Sequence, residues 1–513
     1  MLGARRWWAL AALMLGMLTI GFDVTILNVA LPTLATALHT GTDGLQWLVN
    51  AYTLVFAGLL LPLGALGDRY GRKRLMLLGL LLFGGASVVA TYAGSVDALI
   101  AARAVMGAGA AVITPVSLAL LPALFPPAER PKAIAFAMIG MGAGVPLGPI
   151  VGGYLLGHFW WGSVFLVNVP VALVGLIAVA FLVPESRDPA PPRPDALGGL
   201  LSTAGLVAGV YGVIEAPRRG WADSVVVAAI AAGVMLLLGF VAWERRAAEP
   251  MIDLALFARP RFLWGTVAAT IASFALFGLL FVVPQYLQAV RGHDALGTGV
   301  RLLPTMAGLI LGARTSEWIG ARFGARAPVA AGLALIGGGL LAGAATGVGT
   351  GYGGIAAWLA VVGAGTGLTL APAMDAVLGE LPPGRTGAGS ALTQVFRQVG
   401  GALGVALLGS LLAARYTGRI DTAGLPAPAA DAARDSVAGA VAVAGRLGDA
   451  ALMSSAQRSY TNAMDLVLAV CAGVAVAGAV LVAVLLPARP TRAPEAPAGG
   501  RPDDAPGELL ATG

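Results

Sequence analysis

Cysteine is nearly missing from this sequence. Cys471 is the one present, inside an apolar run, so an intrachain disulfide and a cysteine-based metal site are both excluded. Histidine is almost as scarce, and His39, His158 and His293 lie too far apart along the chain to point to a metal cluster. Charge is the third shortage: 11% of the 513 residues are charged, against about 25% in soluble globular proteins. A chain so short of charge cannot face water all round. It has no phosphate-cradling Gly-Lys-Ser loop, so ATP is not its energy source. Paired catalytic carboxylates, histidine–metal spacing and a nucleophile elbow are missing too, which leaves an enzyme reading without support. No stretch alternates with period two, which excludes a membrane β-barrel. Neither cofactor nor metal is expected.

What the sequence has is apolar length. Hydrophobic residues make up 58% of it and 73 residues are glycine, which is more frequent in membrane helices than in soluble ones. A bilayer core about 30 Å thick takes about 20 apolar residues as helix. Runs of that kind fall at 8–31, 46–66, 75–93, 98–124, 133–156, 163–183, 197–215, 225–243, 262–287, 299–319, 328–346, 354–378, 388–412 and 461–487. They predict an all-α integral membrane protein with fourteen transmembrane helices. Run 1 follows Arg5 and Arg6 and ends near Ala35-Thr36-Ala37, in the manner of a cleaved signal. It is too long for a signal core, however, and contains Asp23 and Asn28.

Arginine and lysine cluster in the loops after runs 2, 4, 6, 8 and 10. If every run spans, these loops share one side, which the positive-inside rule makes cytoplasmic. Both termini are then cytoplasmic. The net charge of +6 reads as membrane topology and not as nucleic-acid binding. Arg218 and Arg219 fall outside, against the trend. Residues 414–459 form a long outer loop of mixed charge, and 488–513, rich in Pro, Ala and Gly, is expected to be a disordered cytoplasmic tail.

A segment recurs. Gly67-Asp68-Arg69-Tyr70-Gly71-Arg72-Lys73 follows run 2, and Gly320-Ala321-Arg322-Phe323-Gly324-Ala325-Arg326 follows run 10. Each is the loop after the second helix of a six-helix set if runs 7 and 8 are an insert. This divides the chain into a bundle at 1–184, a linker and two-helix insert at 185–260, and a second bundle at 261–487. The second copy lacks the Asp, so the halves are not equivalent.

Four motifs stand on these runs. Run 1 carries Asp23-Val24-Thr25-Ile26-Leu27-Asn28-Val29-Ala30-Leu31-Pro32. Gly64-Ala65-Leu66-Gly67-Asp68-Arg69-Tyr70-Gly71-Arg72-Lys73 closes run 2. Run 4 holds Arg103 and Gly107. Run 5 holds Gly144, Pro146, Gly148, Pro149, Gly152 and Gly153. In this order the motifs resemble the fourteen-helix drug:proton antiporters of the major facilitator superfamily, the EmrB/QacA type, from run 1 to run 14. One further glycine of the run 5 signature is replaced by Ala135. The resemblance implies the major facilitator fold, two six-helix bundles plus two inserted helices, working as a monomer in the bacterial inner membrane. It implies proton-coupled efflux of lipophilic, often cationic, drugs or antibiotics by alternating access. Its partners would be that small-molecule substrate, protons and the lipid bilayer. Export of one self-made metabolite is the alternative in the same class. An uptake symporter is disfavoured, because the run 5 signature is associated with exporters.

The residues also have a direct physical reading. Asp23 lies roughly 22 Å from the cytoplasmic end of run 1 at 1.5 Å per residue, inside the bilayer, where an ionisable group costs about 2.5–3.5 kcal/mol. Arg103 in run 4 lies at similar depth and needs a carboxylate. Dehydration favours a protonated carboxyl and a nearby cation favours an ionised one, so the two form a candidate proton-coupling pair; a fixed structural ion pair is the other reading. Gly64, Asp68, Arg69, Gly71, Arg72 and Lys73 form a candidate cytoplasmic latch, with Asp68 facing the positive N-terminal end of run 13 near Gly387. A loop that only sets topology is its alternative. Gly140, Gly144, Gly148 and Gly152 share one helix face and permit close packing. In the C-terminal half, Asp375 is a further proton-coupling candidate that could pair with Arg397. Asn28, Tyr52, Gln285, Tyr286 and Arg397 are candidates for the substrate cavity.

Overall fold

Membrane-crossing segments must satisfy every backbone N–H and C=O internally, and the apolar runs do so as helices. The computed structural model describes residues 3–126, 129–187, 195–247, 250, 254–380 and 386–488, and no strand occurs among them. The first set of crossings is α1 (Gly3–Ala37), α2 (Thr42–Tyr70), α3 (Arg72–Thr91), α4 (Val96–Leu124), α5 (Arg130–His158) and a sixth split into α6 (Ser163–Leu166) and α7 (Asn168–Leu182). Two helices follow, α8 (Ala196–Arg219) and α9 (Ser224–Glu244). The second set begins with α10 (Pro260–Gln285) and a crossing split into α11 (Ala295–Arg301) and α12 (Leu303–Phe323). It continues with α13 (Arg326–Gly343), α14 (Tyr352–Leu378), and α15 (Thr386–Leu403) running into α16 (Gly409–Thr417). Two short helices, α17 (Ala427–Asp435) and α18 (Val437–Leu447), precede the last crossing, α19 (Ala450–Leu485). Among the described residues 13 of these helical segments are long and apolar enough to cross a membrane. α5, with 29 residues, matches these in length. The tail from 489, and the side chains of Asp68, Gly140, Pro146 and residues 386–390, lie outside the described residues.

The splits follow proline chemistry. Pro170 has no N–H to offer the carbonyl of Leu166, and the sixth crossing breaks at Val167. Pro284 precedes a π turn at Tyr286–Val290, and Pro304 stands just after the break between α11 and α12. A second π turn, Gly404–Leu408, joins α15 to α16.

The recurring segment has the same geometry in both halves. Gly71 takes φ 117°, and Arg72 N–H donates to Ser186 O at 2.9 Å, just past the end of α7. Gly324 takes φ 76°, and Ala325 N–H donates to Ala488 O at 3.2 Å, just past the end of α19. Each loop is thus clasped by the chain leaving the sixth crossing of its own half. Both turns need glycine: positive φ is strained for any side chain. A Cβ would also lie 2.7 Å from Glu185 Oε1 at Gly71, or 2.2 Å from Ala488 O at Gly324.

α8 lies along the seam between α2 and α15–α16. Thr203 Oγ1 would be 2.1 Å from a Cβ on Gly58, and Ser410 Oγ donates to Val213 O at 2.9 Å. α9 packs on α8 through Gly205, Gly212 and Gly233, and 17% of its apolar stretch is buried, so most of it faces lipid. The stretch 414–459, expected as a loop, is largely helical. Its Ala-rich α17 and α18 are amphipathic and pack on α16 and α19, with Tyr416 OH donating to Ala433 O at 3.0 Å.

Candidate functional site

Four helices meet around one ion pair. Asp23 from α1 and Arg103 from α4 are 0% and 1% exposed, and Arg103 Nη1 donates to Asp23 Oδ2. Asn168, at the start of α7, donates to the other carboxylate oxygen at 3.2 Å. From α2, Leu48 O accepts from Arg103 Nε at 3.1 Å, and the guanidinium carbon lies 4.4 Å from the centroid of the Tyr52 ring. Charge, hydrogen bonding and a cation–π contact thus offset the dehydration of both groups. Gly107, one turn along from Arg103, lets α4 press against α2: a Cβ there would be 2.4 Å from Tyr52 O. Around the pair some polar capacity is unused. Tyr52 OH, Asn168 Oδ1 and both side-chain polar atoms of Asn50 on α2 are buried without a partner among the described residues.

α5 rests directly on the α1 segment that carries Asp23. A Cβ on Gly144 would lie 2.5 Å from Phe22 N, on Gly148 2.0 Å from Thr25 Oγ1, and on Gly152 2.5 Å from Ile26 Cγ1. The adjacent face of α5 meets the second half. A Cβ on Gly153 would lie 2.4 Å from Leu296 Cα, and one on Gly299 2.1 Å from Pro149 O. This contact lies on the side of the molecule opposite the chain termini. More cross-half bonds lie there. Gln46 donates to Val405 O and Ala406 O at 3.0 and 2.8 Å, Gln288 to Val29 O at 2.9 Å, and Thr42 to Asp435 O at 3.2 Å. In this structure the halves are therefore joined on the far side.

A family model described as Major Facilitator Superfamily matches residues 13–405. The chain belongs to that superfamily. Its fold and its many apolar helices are those of a multi-pass membrane transporter, a class of protein that moves small molecules. The tetracenomycin C resistance and export protein of Streptomyces glaucescens is 34% identical over 96% of this chain and 94% of its own. The multidrug efflux pump LfrA of Mycolicibacterium smegmatis is 34% identical over 94% and 96%. The drug efflux pump JefA of Mycobacterium tuberculosis is 37% identical over 84% of each chain. Among solved structures, a bacterial homolog of the human lysosomal transporter Spinster, inward-facing and unoccupied, aligns with a TM-score of 0.69 at 20% identity. The match covers 96% of this chain and 100% of that one.

The remaining sequence candidates scatter across this transporter fold. Arg72 Nη1 donates to Ser186 Oγ at 3.3 Å, Lys73 Nζ donates to Ala180 O at 2.6 Å, and Arg74 stands 3.6 Å from Glu185. The loop after α2 is therefore held by α7 and the chain beyond it, while Arg69 is exposed and a Cβ on Gly64 would lie 3.4 Å from Pro115. Asp375 is exposed on α14. Arg397 is bound instead to Ser273 Oγ at 3.4 Å and Gln394 Oε1 at 3.1 Å, so the suggested pair does not form. Asn28 and Gln285 donate back into their own helices, to Val24 O and Phe281 O, and Tyr286 OH donates to Gly347 O at 2.9 Å. Sequence reasoning missed Asn168 and Asn50. The signal was there: each is an amide in an apolar run.

Proposed function

We propose that the protein is a proton-coupled efflux antiporter that exports hydrophobic or cationic drugs or antibiotics by alternating access. The buried Asp23–Arg103 pair is the observation that carries this reading: a full ion pair inside the first bundle costs dehydration that a purely structural contact would not need. A proton on Asp23 cancels one charge and leaves Arg103 on Leu48 O and the Tyr52 ring. It can bias the transporter only as far as it binds the inward-open and outward-open states differently. Each tenfold difference is worth about 1.4 kcal/mol. The names of the efflux relatives supply the substrate class, and the S. glaucescens exporter favours a second reading, dedicated export of one endogenous metabolite.

On this reading the chain sits in the bacterial inner membrane as a monomer, with both termini cytoplasmic, since the Arg-rich loops share their side. Residues 1–184 and 261–487 are the two moving halves, and 185–260 is a rider on their seam. The loop from Gly64 to Lys73 is the cytoplasmic latch, and Asp375 is the next proton site after Asp23. Proteoliposomes with an imposed proton gradient and a panel of dyes and antibiotics test the reading. Asp23→Asn should lose gradient-driven export while still binding dye. Export against a gradient by that variant, with proton exchange unchanged, would move the proton site elsewhere.

A further inference from the structure

An open cavity of about 410 Å³ lies on the far side, where α8 meets the first turns of α2 and α4. That volume is in the range of small-molecule sites. Three carboxylates line it, Asp43, Asp97 and Glu215, against one guanidinium, Arg218. Trp47 and Tyr211 form its aromatic wall, with ring centroids 6.0 Å apart and planes inclined by 45°. Glu215 is 7% exposed. Its Oε2 accepts from Arg218 at 2.9 Å and from Arg219 at 3.0 Å, so two guanidiniums share this carboxylate. Nearby, Asp435 has its carboxyl pushed above the usual range by partial dehydration and by Asp43 and Asp431, against an opposing pull from Arg218.

We propose that this cavity is a second binding site, for a bulky organic cation with an aromatic body. A ring face attracts a cation held within about 6 Å of it, and Asp43 and Asp97 supply the counter-charge, since Glu215 is already shared by Arg218 and Arg219. An inorganic ion fits less well, because no three of His, Cys, Asp or Glu converge on one point among the described residues. Asp43 and Asp97 sit in the first turns of α2 and α4, so both carboxylates border the cavity from helix starts. The inserted helix α8 thereby gains a role in binding, since it contributes Tyr211, Glu215 and Arg218, without which the cavity has no wall on that side. The site binds its ligand without taking part in proton coupling.

The test is equilibrium binding of ethidium to the full-length protein in lipid nanodiscs, followed by fluorescence. The double variant Asp43→Asn/Asp97→Asn should weaken binding about tenfold, and raising salt should erase the difference. Tyr211→Phe should bind as wild type, and Tyr211→Leu several-fold more weakly. Gradient-driven export by the same variants in proteoliposomes separates failure of the site from failure of the export reading: Tyr211→Leu should bind ethidium more weakly and still exchange it for protons. Dissociation constants within twofold of wild type for both the double aspartate variant and Tyr211→Leu would overturn the proposal. So would displacement of ethidium by millimolar calcium with no effect of Tyr211→Leu. Should the aspartate variant fail to fold, Tyr211→Leu decides alone.

Discussion

Gly299→Ala tests whether α5 and α11 form the far-side gate. The new Cβ would stand 2.1 Å from Pro149 O and 2.6 Å from Pro149 C. Ordinary non-bonded contact needs about 3.5 Å, so the two helices must part by roughly 1 Å or more. Both obstructing atoms are backbone, and no side chain can rotate to make room. Overpacking of this kind costs about 1–3 kcal/mol. Alanine also favours helix over glycine by up to about 1 kcal/mol, but α11 gains that in either state, so it cancels from the difference. The steric cost falls only on the state in which the far side is closed. A penalty of about 2 kcal/mol biases the molecule roughly thirtyfold toward the state with that side parted. Pulsed EPR between spin labels at Gly94 and Gly349 reads the change, in a background where Cys471 is replaced by Ala. Both positions are in far-side loops of opposite halves, and a Cβ there meets nothing within 4 Å. The label distance should lengthen in Gly299→Ala and in Gly153→Ala. Gly157→Ala, on the same α5 but facing open space, should match wild type. A folded Gly299→Ala protein with an unchanged distance distribution would refute the gate.

Two further outcomes follow from the loops. Gly71→Ala places a side chain at φ 117° and 2.7 Å from Glu185 Oε1, and should cost about 1–3 kcal/mol in thermal stability; adding Glu185→Gly should recover the steric part and not the backbone part. Asp435→Asn should stabilise the protein at neutral pH. The raised carboxyl means that the folded state disfavours the charge, so wild-type stability improves as pH falls through that raised value toward 3.8. The difference in melting temperature between Asn and wild type should therefore shrink on acidification, and a constant difference would count against the assigned crowding.

Helix order was legible because a bilayer demands a minimum apolar length, and 13 of the fourteen runs meet it among the described residues. Ends were less so. α19 begins at Ala450, eleven residues before the apolar run at 461, because its first turns pack on α18 outside any membrane and so need no apolar girth. The same blindness hid α17 and α18 in a presumed loop, since small Ala-rich helices have neither length nor strong hydropathy. Asp23 and Arg103 could be paired from depth alone: two opposite charges in lipid need each other. Asn168 could not be placed, because its contact depends on the break at Val167 and on the angle at which α7 then crosses α1. From the sequence Arg397 falls near mid-depth and Asp375 near the inner end of the preceding helix, and in the fold they lie on α15 and α14 without meeting. Ser273 and Gln394 meet the arginine first.

The glycines of α5 tie the pieces together. On one face Gly144, Gly148 and Gly152 touch Phe22, Thr25 and Ile26, the residues flanking Asp23; on the next, Pro149 and Gly153 touch α11 of the other half. At Gly144 the nearest atoms are all backbone of α1, Phe22 N, Leu18 O and Gly21 C, so α5 sits directly on the α1 chain there. On the proposed reading, a change in the charge of Asp23 alters how α1 sits against α4 and α7, and α5 must follow as a body. Its far end is the gate itself. Larger residues on the α1 face would insert a compliant layer, so Gly148→Ala should damage coupling by more than its effect on folding. The closest obstruction is Thr25 Oγ1 at 2.0 Å, with the backbone atoms Phe22 O and Ile26 N behind it at 2.9 and 3.0 Å, which predicts that Thr25→Ala restores part of the proton-driven transport lost in Gly148→Ala. Transport that is equally poor in the single and double variants would mean that α5 carries no motion from α1, and that the glycines serve packing alone.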